Sequence, residues 1–305
     1  MKVLIATDKP FAPAALQEIK SVIDAASYET VLLEKYKEKQ ELLDAVANVD
    51  AIIIRSDIID REVIQAAKNL KIVVRAGAGY DNVDLAAASE AGICVMNTPG
   101  QNANAVAELA LGYMVFAVRN LYNGTSGTEL LGKKLGIHAY GNVGRNVARI
   151  AKGFGMEVYA YDAFCPKNVI ENDGVKALDS VEALYKTCDV VSLHIPATAE
   201  TKNSINYELL TKMPKGGVLI NTARKEVINE DEMVKFMTER TDFKYITDIP
   251  PANKAEMTEK FTNRFFCPPK KMGAQTAEAN TNAGIAAAKQ IIDFIKNGNE
   301  KFRVN

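Results

Sequence analysis

Short β-branched runs alternate with longer amphipathic stretches almost from one end of this chain to the other, and that alternation constrains its fold most. Strands are expected at residues 3–7, 30–34, 51–55, 72–75, 94–97, 135–139, 157–162, 190–194, 218–221 and 245–248. Between them, stretches such as 12–26 and 231–240 carry apolar residues at helical spacing. Strand and helix alternating at this pace argue for parallel sheets in α/β units. Two Ala-rich helical stretches stand apart, 101–120, which splits the strands into two sets, and 276–297, which no strand follows. The expected fold is therefore α/β, with two Rossmann-like, doubly wound parallel-sheet domains joined by two long crossing helices. One domain is discontinuous, 1–97 plus 280–305, and the other spans 98–279.

Composition fits this reading and excludes several functions. The 305 residues suit two domains of ordinary size, and 48% hydrophobic with 25% charged is the balance of a soluble globular protein. A formal net charge of -1 leaves no electrostatic footprint for nucleic acid. No run of eighteen apolar residues suggests a membrane span. The opening Met1-Lys-Val-Leu-Ile-Ala-Thr-Asp8 reads as a first strand and not as a signal peptide, so a cytoplasmic protein is expected. Cys94, Cys165, Cys188 and Cys267 form no CxxC pair and are read as reduced, partly buried thiols, with no metal site.

The segment Leu135-Gly-Ile-His-Ala-Tyr-Gly-Asn-Val-Gly144 carries the clearest chemistry. A strand runs into a glycine-rich turn, a helix is expected over 145–154, and a second strand ends at Asp162. Glycines in such a turn let the backbone approach a pyrophosphate, which then sits on the positive end of the helix. An acidic residue closing the next strand accepts the ribose hydroxyls and repels the 2′-phosphate of NADP, so NAD is the expected cofactor. Ala139 stands where GxGxxG has its first glycine, and alanine is acceptable there if φ stays negative. Gly141 and Gly144 fill the second and third places.

Two further segments follow strands. The glycines of Arg75-Ala-Gly-Ala-Gly-Tyr-Asp-Asn82 can present successive N–H groups to an anion. Arg224 closes Asn221-Thr-Ala-Arg224 at the carboxyl end of an expected parallel strand, where ligands gather.

With these residues together, the chain resembles the D-2-hydroxyacid dehydrogenases, in particular their short-form D-3-phosphoglycerate branch. The likeness covers essentially the whole chain. It rests on Ile54-Arg-Ser56, Arg75-Ala-Gly-Ala-Gly-Tyr-Asp-Asn-Val-Asp84, the helix start at 102–108, the glycine turn, Ser192-Leu-His-Ile-Pro196, Asn221-Thr-Ala-Arg224 and Asp248. The resemblance implies that Arg55, Ser56, Arg75 and Asn102 hold the substrate while Ala78 and Gly79 offer N–H groups to its carboxylate. Arg224 would polarise the C2 oxygen. Tyr140, Gly141, Asn142, Val143, Gly144, Asp162, His194, Pro196, Thr201, Thr222, Ala223 and Asp248 would surround NAD. Two guanidiniums suit a doubly charged phosphate. The Ala-rich 101–120 helix packs across a two-fold axis in the family, which implies a homodimer. The chain ends soon after its last helix, so a C-terminal serine-binding regulatory domain, and inhibition by serine through it, are not expected. The segment 119–129 is short beside most of the family, and basic residues that contact phosphate there are missing.

The chain departs from the family at the proton carrier. Where the family has Pro-His-Ile-Gly, this chain has Lys270-Lys-Met-Gly273, so Lys271 takes the histidine position. Asn253 takes the position of the partner glutamate. Neither histidine replaces it, for His138 lies within a strand as a core residue and His194 belongs to the cofactor segment. The implied base is Lys271. A free lysine titrates at about 10.4 and a useful base at roughly 7–8, so the site must destabilise the ammonium by ~4 kcal/mol. Partial burial and the charge of Arg224 are expected to do so, and loss of the glutamate removes an opposing influence. Lys270 reads as plain surface. Neither Glu256 nor Glu278 is singled out as a carboxylate partner.

Three functions follow. On the resemblance, the chain would oxidise 3-phosphoglycerate to 3-phosphohydroxypyruvate, the first step of serine biosynthesis. Alternatively it is a hydroxypyruvate or glyoxylate reductase, or another D-2-hydroxyacid dehydrogenase. Or the fold serves as an NAD-sensing binding module without turnover, as in the family's co-repressor relatives. Retained Arg224 and Lys271 argue against the last.

Overall fold

All ten expected runs form strands, most shifted by one residue at an end. The computed structural model describes residues 1–305 and divides into two compact units, Met1–Asn102 with Thr276–Asn305, and Ala103–Gln275. The divisions fall at the first turn of each Ala-rich helix, so each helix belongs whole to one unit.

The first unit runs β1 (Lys2–Thr7), α1 (Pro13–Ala25), β2 (Glu29–Glu34), α2 (Lys39–Val46), β3 (Ala51–Ile54), α3 (Arg61–Ala66), β4 (Ile72–Arg75), α4 (Leu85–Glu90) and β5 (Cys94–Asn97). Its five strands are all parallel, in the order β2-β1-β3-β4-β5. Local chemistry sets the helices. Pro13 opens α1 where an N–H would have no partner anyway, and Asp60 and Asp84 cap α3 and α4 by accepting from Val63 N and Ala87 N. Helix α1 buries Ala15, Ile19 and Ile23 along one face. Full burial of an isoleucine contributes about 1.5–3 kcal/mol, so this face docks the helix.

The second unit runs α5 (Ala103–Val118), β6 (Lys134–His138), α6 (Asn142–Gly153), β7 (Glu157–Tyr161), α7 (Lys167–Asn172), β8 (Lys176–Ala177), α8 (Val181–Thr187), β9 (Val190–Leu193), α9 (Tyr207–Thr211), β10 (Val218–Asn221), α10 (Glu230–Glu239), β11 (Lys244–Thr247), α11 (Lys254–Lys260) and β12 (Phe265–Phe266). The strand order is β12-β11-β10-β9-β6-β7-β8, again all parallel. Strands β8 and β12 were not expected, because two residues carry no readable periodicity. The last helix, α12 (Ala277–Asn297), returns to the first unit and packs on α1, with Ala283, Ala287, Ala288 and Ile291 in the core of Val3, Ile5 and Ile19.

Each sheet has a switch point where its order reverses, between β1 and β3 in the first unit and between β6 and β9 in the second. The crevice beyond the carboxyl ends of such strands is where open α/β sheets bind ligands. No helix is long and apolar enough to cross a membrane. The four cysteines are free thiols, Cys94 and Cys188 buried, Cys165 and Cys267 partly so.

Candidate active site

At the second unit's switch point, β6 ends at His138 and the chain turns through Ala139, Tyr140 and Gly141 into α6. The helix starts three residues before its expected position, because Gly141 is extended at φ -82°, ψ -158° and serves as the N-cap. Asn142 and Val143 thereby form its first turn. The two glycines differ in what demands them. A Cβ on Gly144 would be driven into the Ala139 carbonyl oxygen and lie 3.0 Å from Ile137 Cγ2, so Gly144 lets helix close on strand. A Cβ on Gly141 would meet nothing within 4 Å, and its φ suits any residue. Nothing inside the chain requires glycine there, and the open space above the helix N-terminus fits a pyrophosphate.

Ala139 corrects an expectation, since its φ is +80° and not negative. Such a conformation costs an L-residue about 1–2 kcal/mol. Hydrogen bonds on either side impose it: Ala139 N donates to Tyr161 O at 2.9 Å and Tyr140 N to Asp162 Oδ2 at 2.6 Å. The Tyr140 ring itself is buried, with its hydroxyl on Asp173, so only its main chain faces the turn.

Asp162 follows β7 directly. Its Oδ1 accepts from Phe164 N at 2.7 Å and Cys165 N at 2.8 Å. Burial pushes its pKa up, yet these donors with Tyr140 N outweigh it and hold the carboxyl below its ordinary range. A carboxylate has about four lone-pair sites. Three are filled from within, leaving one on Oδ2 open to a ribose hydroxyl. His138, packed in the core against Tyr185, is held neutral by burial with a pKa of about 4, despite the opposing charge of Asp162.

The carboxyl ends of β9, β10 and β11 lie side by side and carry His194, Thr222 and Asp248. Each has one buried polar atom with no hydrogen-bond partner in the chain: His194 Nε2, Thr222 Oγ1 and Asp248 Oδ1. Burial, and more weakly His138, press the His194 pKa down to about 3, so the ring is neutral. Three orphaned groups at one sheet edge each forfeit a hydrogen bond unless a ligand supplies it. A nicotinamide, with its carboxamide donors and acceptor, fits that need. Thr201 differs, because its hydroxyl donates to Pro196 O at 2.6 Å and accepts from Thr198 N at 2.8 Å, tying its own loop. Ala223 N donates to Asn221 Oδ1, and the exposed Arg224 sends Nη1 to Ala223 O at 2.9 Å.

Asp248 also makes contacts that the sequence did not reveal. It is fully buried, and its Oδ2 accepts from Gly273 N at 2.6 Å and Met272 N at 3.1 Å, the two peptides after Lys271. Lys271 itself is exposed, together with Pro269, Lys270 and Met272, whereas Pro268 and Gly273 are buried. The expected partial burial of Lys271 is therefore corrected: its segment leaves the core at Pro268 and re-enters at Gly273, which turns the four residues between outward. Asn253, at the glutamate position, instead precedes α11, and its N–H, with that of Ala252, donates to Glu230.

In the first unit, Arg55 and Ser56 follow β3 at the switch point beside β1. Arg55 donates through Nη1 to Lys9 O at 2.8 Å and Pro10 O at 3.2 Å, and through Nη2 to Asn280 Oδ1 at 2.6 Å. Its guanidinium also stacks 5.2 Å from the Phe11 ring centroid. Burial lowers its pKa against the pull of Asp57 and Asp8, and no carboxylate hydrogen-bonds the guanidinium. Arg75, one strand over and in register with Ile54, sends Nε to Arg55 O at 3.0 Å. The Arg75 side chain thus meets the Arg55 main chain, while the Arg55 guanidinium turns to Lys9, Pro10 and Asn280. Ser56 Oγ donates to Asp8 at 3.3 Å, and Ala78 O accepts from Asn97 Nδ2, leaving Ala78 exposed and Gly79 half-buried. Asn102 closes this part of the unit, half-buried.

Two polar residues escaped the sequence reading. Ser192 Oγ and Thr98 Oγ1 are buried without partners, one within β9 and the other just past β5. The available signal was their place, Thr98 just past one parallel strand and Ser192 one residue before the end of another.

Comparison with known proteins shows the family. The family profile described as D-isomer specific 2-hydroxyacid dehydrogenase, NAD binding domain, matches residues 110–266. A hydroxypyruvate reductase of Thermotoga maritima is 35% identical over 281 residues, 86% of this chain and 90% of that protein. A D-3-phosphoglycerate dehydrogenase of Methanocaldococcus jannaschii is 35% identical over 271 residues, 83% of this chain but 51% of its own length. The chain thus spans about half the length of that relative. Among solved structures, NAD+-bound 3-phosphoglycerate dehydrogenase of Entamoeba histolytica matches with a TM-score of 0.88 and 46% identity, covering 100% of this chain and 98% of that one.

Proposed function

The chain belongs to the D-isomer specific 2-hydroxyacid dehydrogenases, and within them we propose that it oxidises 3-phosphoglycerate to 3-phosphohydroxypyruvate with NAD. The observation that carries the phosphate is the pair Arg55 and Arg75 at the carboxyl ends of adjacent parallel strands, linked through Nε of one and the carbonyl of the other. A guanidinium from each, turned toward one ligand, would match a phosphate dianion. The phosphoglycerate dehydrogenases among its relatives support the same substrate.

In this reading the first unit supplies Arg55, Ser56, Arg75 and Asn102 to the substrate, and the Ala78 and Gly79 peptides to its carboxylate. The second holds the cofactor through the 140–144 turn, Asp162, His194, Pro196, Thr201, Thr222, Ala223 and Asp248. NAD, when bound, supplies the hydride acceptor. Lys271, as a neutral amine, takes the C2 hydroxyl proton as the C2–H bond gives up its electron pair, and becomes an ammonium that later loses the proton to water. Arg224 donates to the C2 oxygen throughout. Lys271 is exposed, so bound substrate would take its side chain out of water. A homodimer in the cytosol completes the reading, with light scattering as the check on its size.

The substrate test compares kcat/KM for 3-phosphohydroxypyruvate and hydroxypyruvate in the reductive direction. A charge-assisted hydrogen bond is worth about 1.5–3 kcal/mol, so two should favour the phosphorylated substrate by ~100-fold or more. Equal or reversed preference would leave the second reading, a hydroxypyruvate reductase. That reading is favoured by the Thermotoga maritima relative and by the three N–H directions Arg55 already commits to its own unit. For the base, Lys271→Ala should lower kcat on the order of 10²–10⁴-fold with little change in NAD affinity, and a near-normal rate refutes its role.

A further inference from the structure

Lys254 is the first residue of α11, where a cation faces the positive end of the helix. That placement is unfavourable for a lysine extended into solvent. Instead the side chain is half-buried, and Nζ donates to Pro268 O at 2.7 Å. The same carbonyl accepts from Cys267 Sγ at 3.4 Å, a thiol that burial pushes up to about 11 and so keeps protonated. Pro268 is the buried residue from which the Lys271 segment departs, and Gly273, gripped by Asp248, is where it returns.

We propose that Lys254 is a positioning residue: with Asp248 it forms a two-point clamp that fixes both ends of the excursion carrying Lys271. Resting on the reading of Lys271 as the base, the clamp replaces what a glutamate at position 253 would have provided. That residue would have oriented a histidine directly, whereas here the main chain on either side of the lysine is held. The design follows from the side chain. An ammonium on a flexible four-carbon stem cannot be steered by one partner as an imidazole can, so its backbone must be fixed. The excursion is short and Pro269 restricts its φ, so anchoring two ends leaves little freedom between them.

The test uses Lys254→Met, which keeps the stem and removes the donor, with Lys254→Gln as a second variant should methionine impair folding. Amide hydrogen exchange in peptides covering 267–273 reads the clamp independently of catalysis. The expected result is about tenfold faster exchange at 270–272, an on-order tenfold fall in kcat, unchanged NAD affinity by calorimetry, and partial recovery of both losses in Lys254→Arg. Unchanged exchange overturns the clamp whatever Lys271 does. Faster exchange with unchanged kcat overturns the positioning role, and the Lys271→Ala variant then reports separately whether the base itself was misassigned.

Discussion

The contrast between Gly141 and Gly144 makes a paired prediction, because the same substitution should strike two different properties three residues apart. In Gly141→Ala the new methyl meets no atom of the chain and φ is already -82°. Alanine restricts the unfolded chain by about 0.4–1 kcal/mol but is a poorer N-cap than glycine by a similar amount. Folding stability should stay within ~0.5 kcal/mol. The methyl would instead occupy the pyrophosphate position. Displacing that group from two charge-assisted N–H contacts forfeits about 3 kcal/mol, or on the order of 100-fold in Kd for NAD. In Gly144→Ala the methyl collides with the Ala139 carbonyl oxygen, an unyielding neighbour, and packs 3.0 Å from Ile137. Overpacking of that kind costs about 1–3 kcal/mol, which lowers Tm by roughly 2–4 °C per kcal/mol for a protein of this size. Thermal unfolding without ligand measures the first property and titration calorimetry the second, since a chain with no tryptophan offers no indole-to-NADH energy transfer. Gly141→Ala binding NAD as the parent does, at unchanged Tm, would refute the placement of the pyrophosphate.

Further outcomes follow from the same turn. Ala139→Gly relieves about 1–2 kcal/mol of strain at φ +80° and loses about 0.4–1 kcal/mol to the freer unfolded chain, so a small rise in urea midpoint is expected and a fall argues against the strained conformation. Asp162 has a folded pKa below its ordinary value, so its stabilising contribution is full above the unfolded pKa near 4 and fades as pH falls through the folded one. Asp162→Asn should therefore flatten the loss of stability below about pH 4 and narrow the preference for NAD over NADP. Parallel acid unfolding curves for parent and variant count against it.

How much of this could be read in advance depended on whether the signal was local. Ile52 to Ile54 and the other β-branched runs announced their strands because a parallel strand covered on both faces is apolar throughout, whereas β8 and β12 are too brief to show any pattern. The cofactor turn was legible as strand, glycines, helix and acid in order. The sign of φ at Ala139 was not, since it depends on Tyr161 and Asp162, more than twenty residues on. The outward course of Lys271 was hidden for a similar reason. It is decided by Asp248 and Lys254, whose contacts with that segment span 24 and 14 residues and leave no mark on local periodicity.

The return of α12 to the first unit sets an order of events on the ribosome. Strands β1 to β5 emerge early, but the core they share with Ala283, Ala287, Ala288 and Ile291 stays open until those residues appear. At roughly 5–20 residues per second, the intervening segment takes roughly ten to thirty-five seconds to synthesise. During that interval the second unit can fold alone, while the first waits with an apolar face uncovered. Nascent chains halted before residue 277 should therefore depend on chaperones in proportion to the surface that α1 presents.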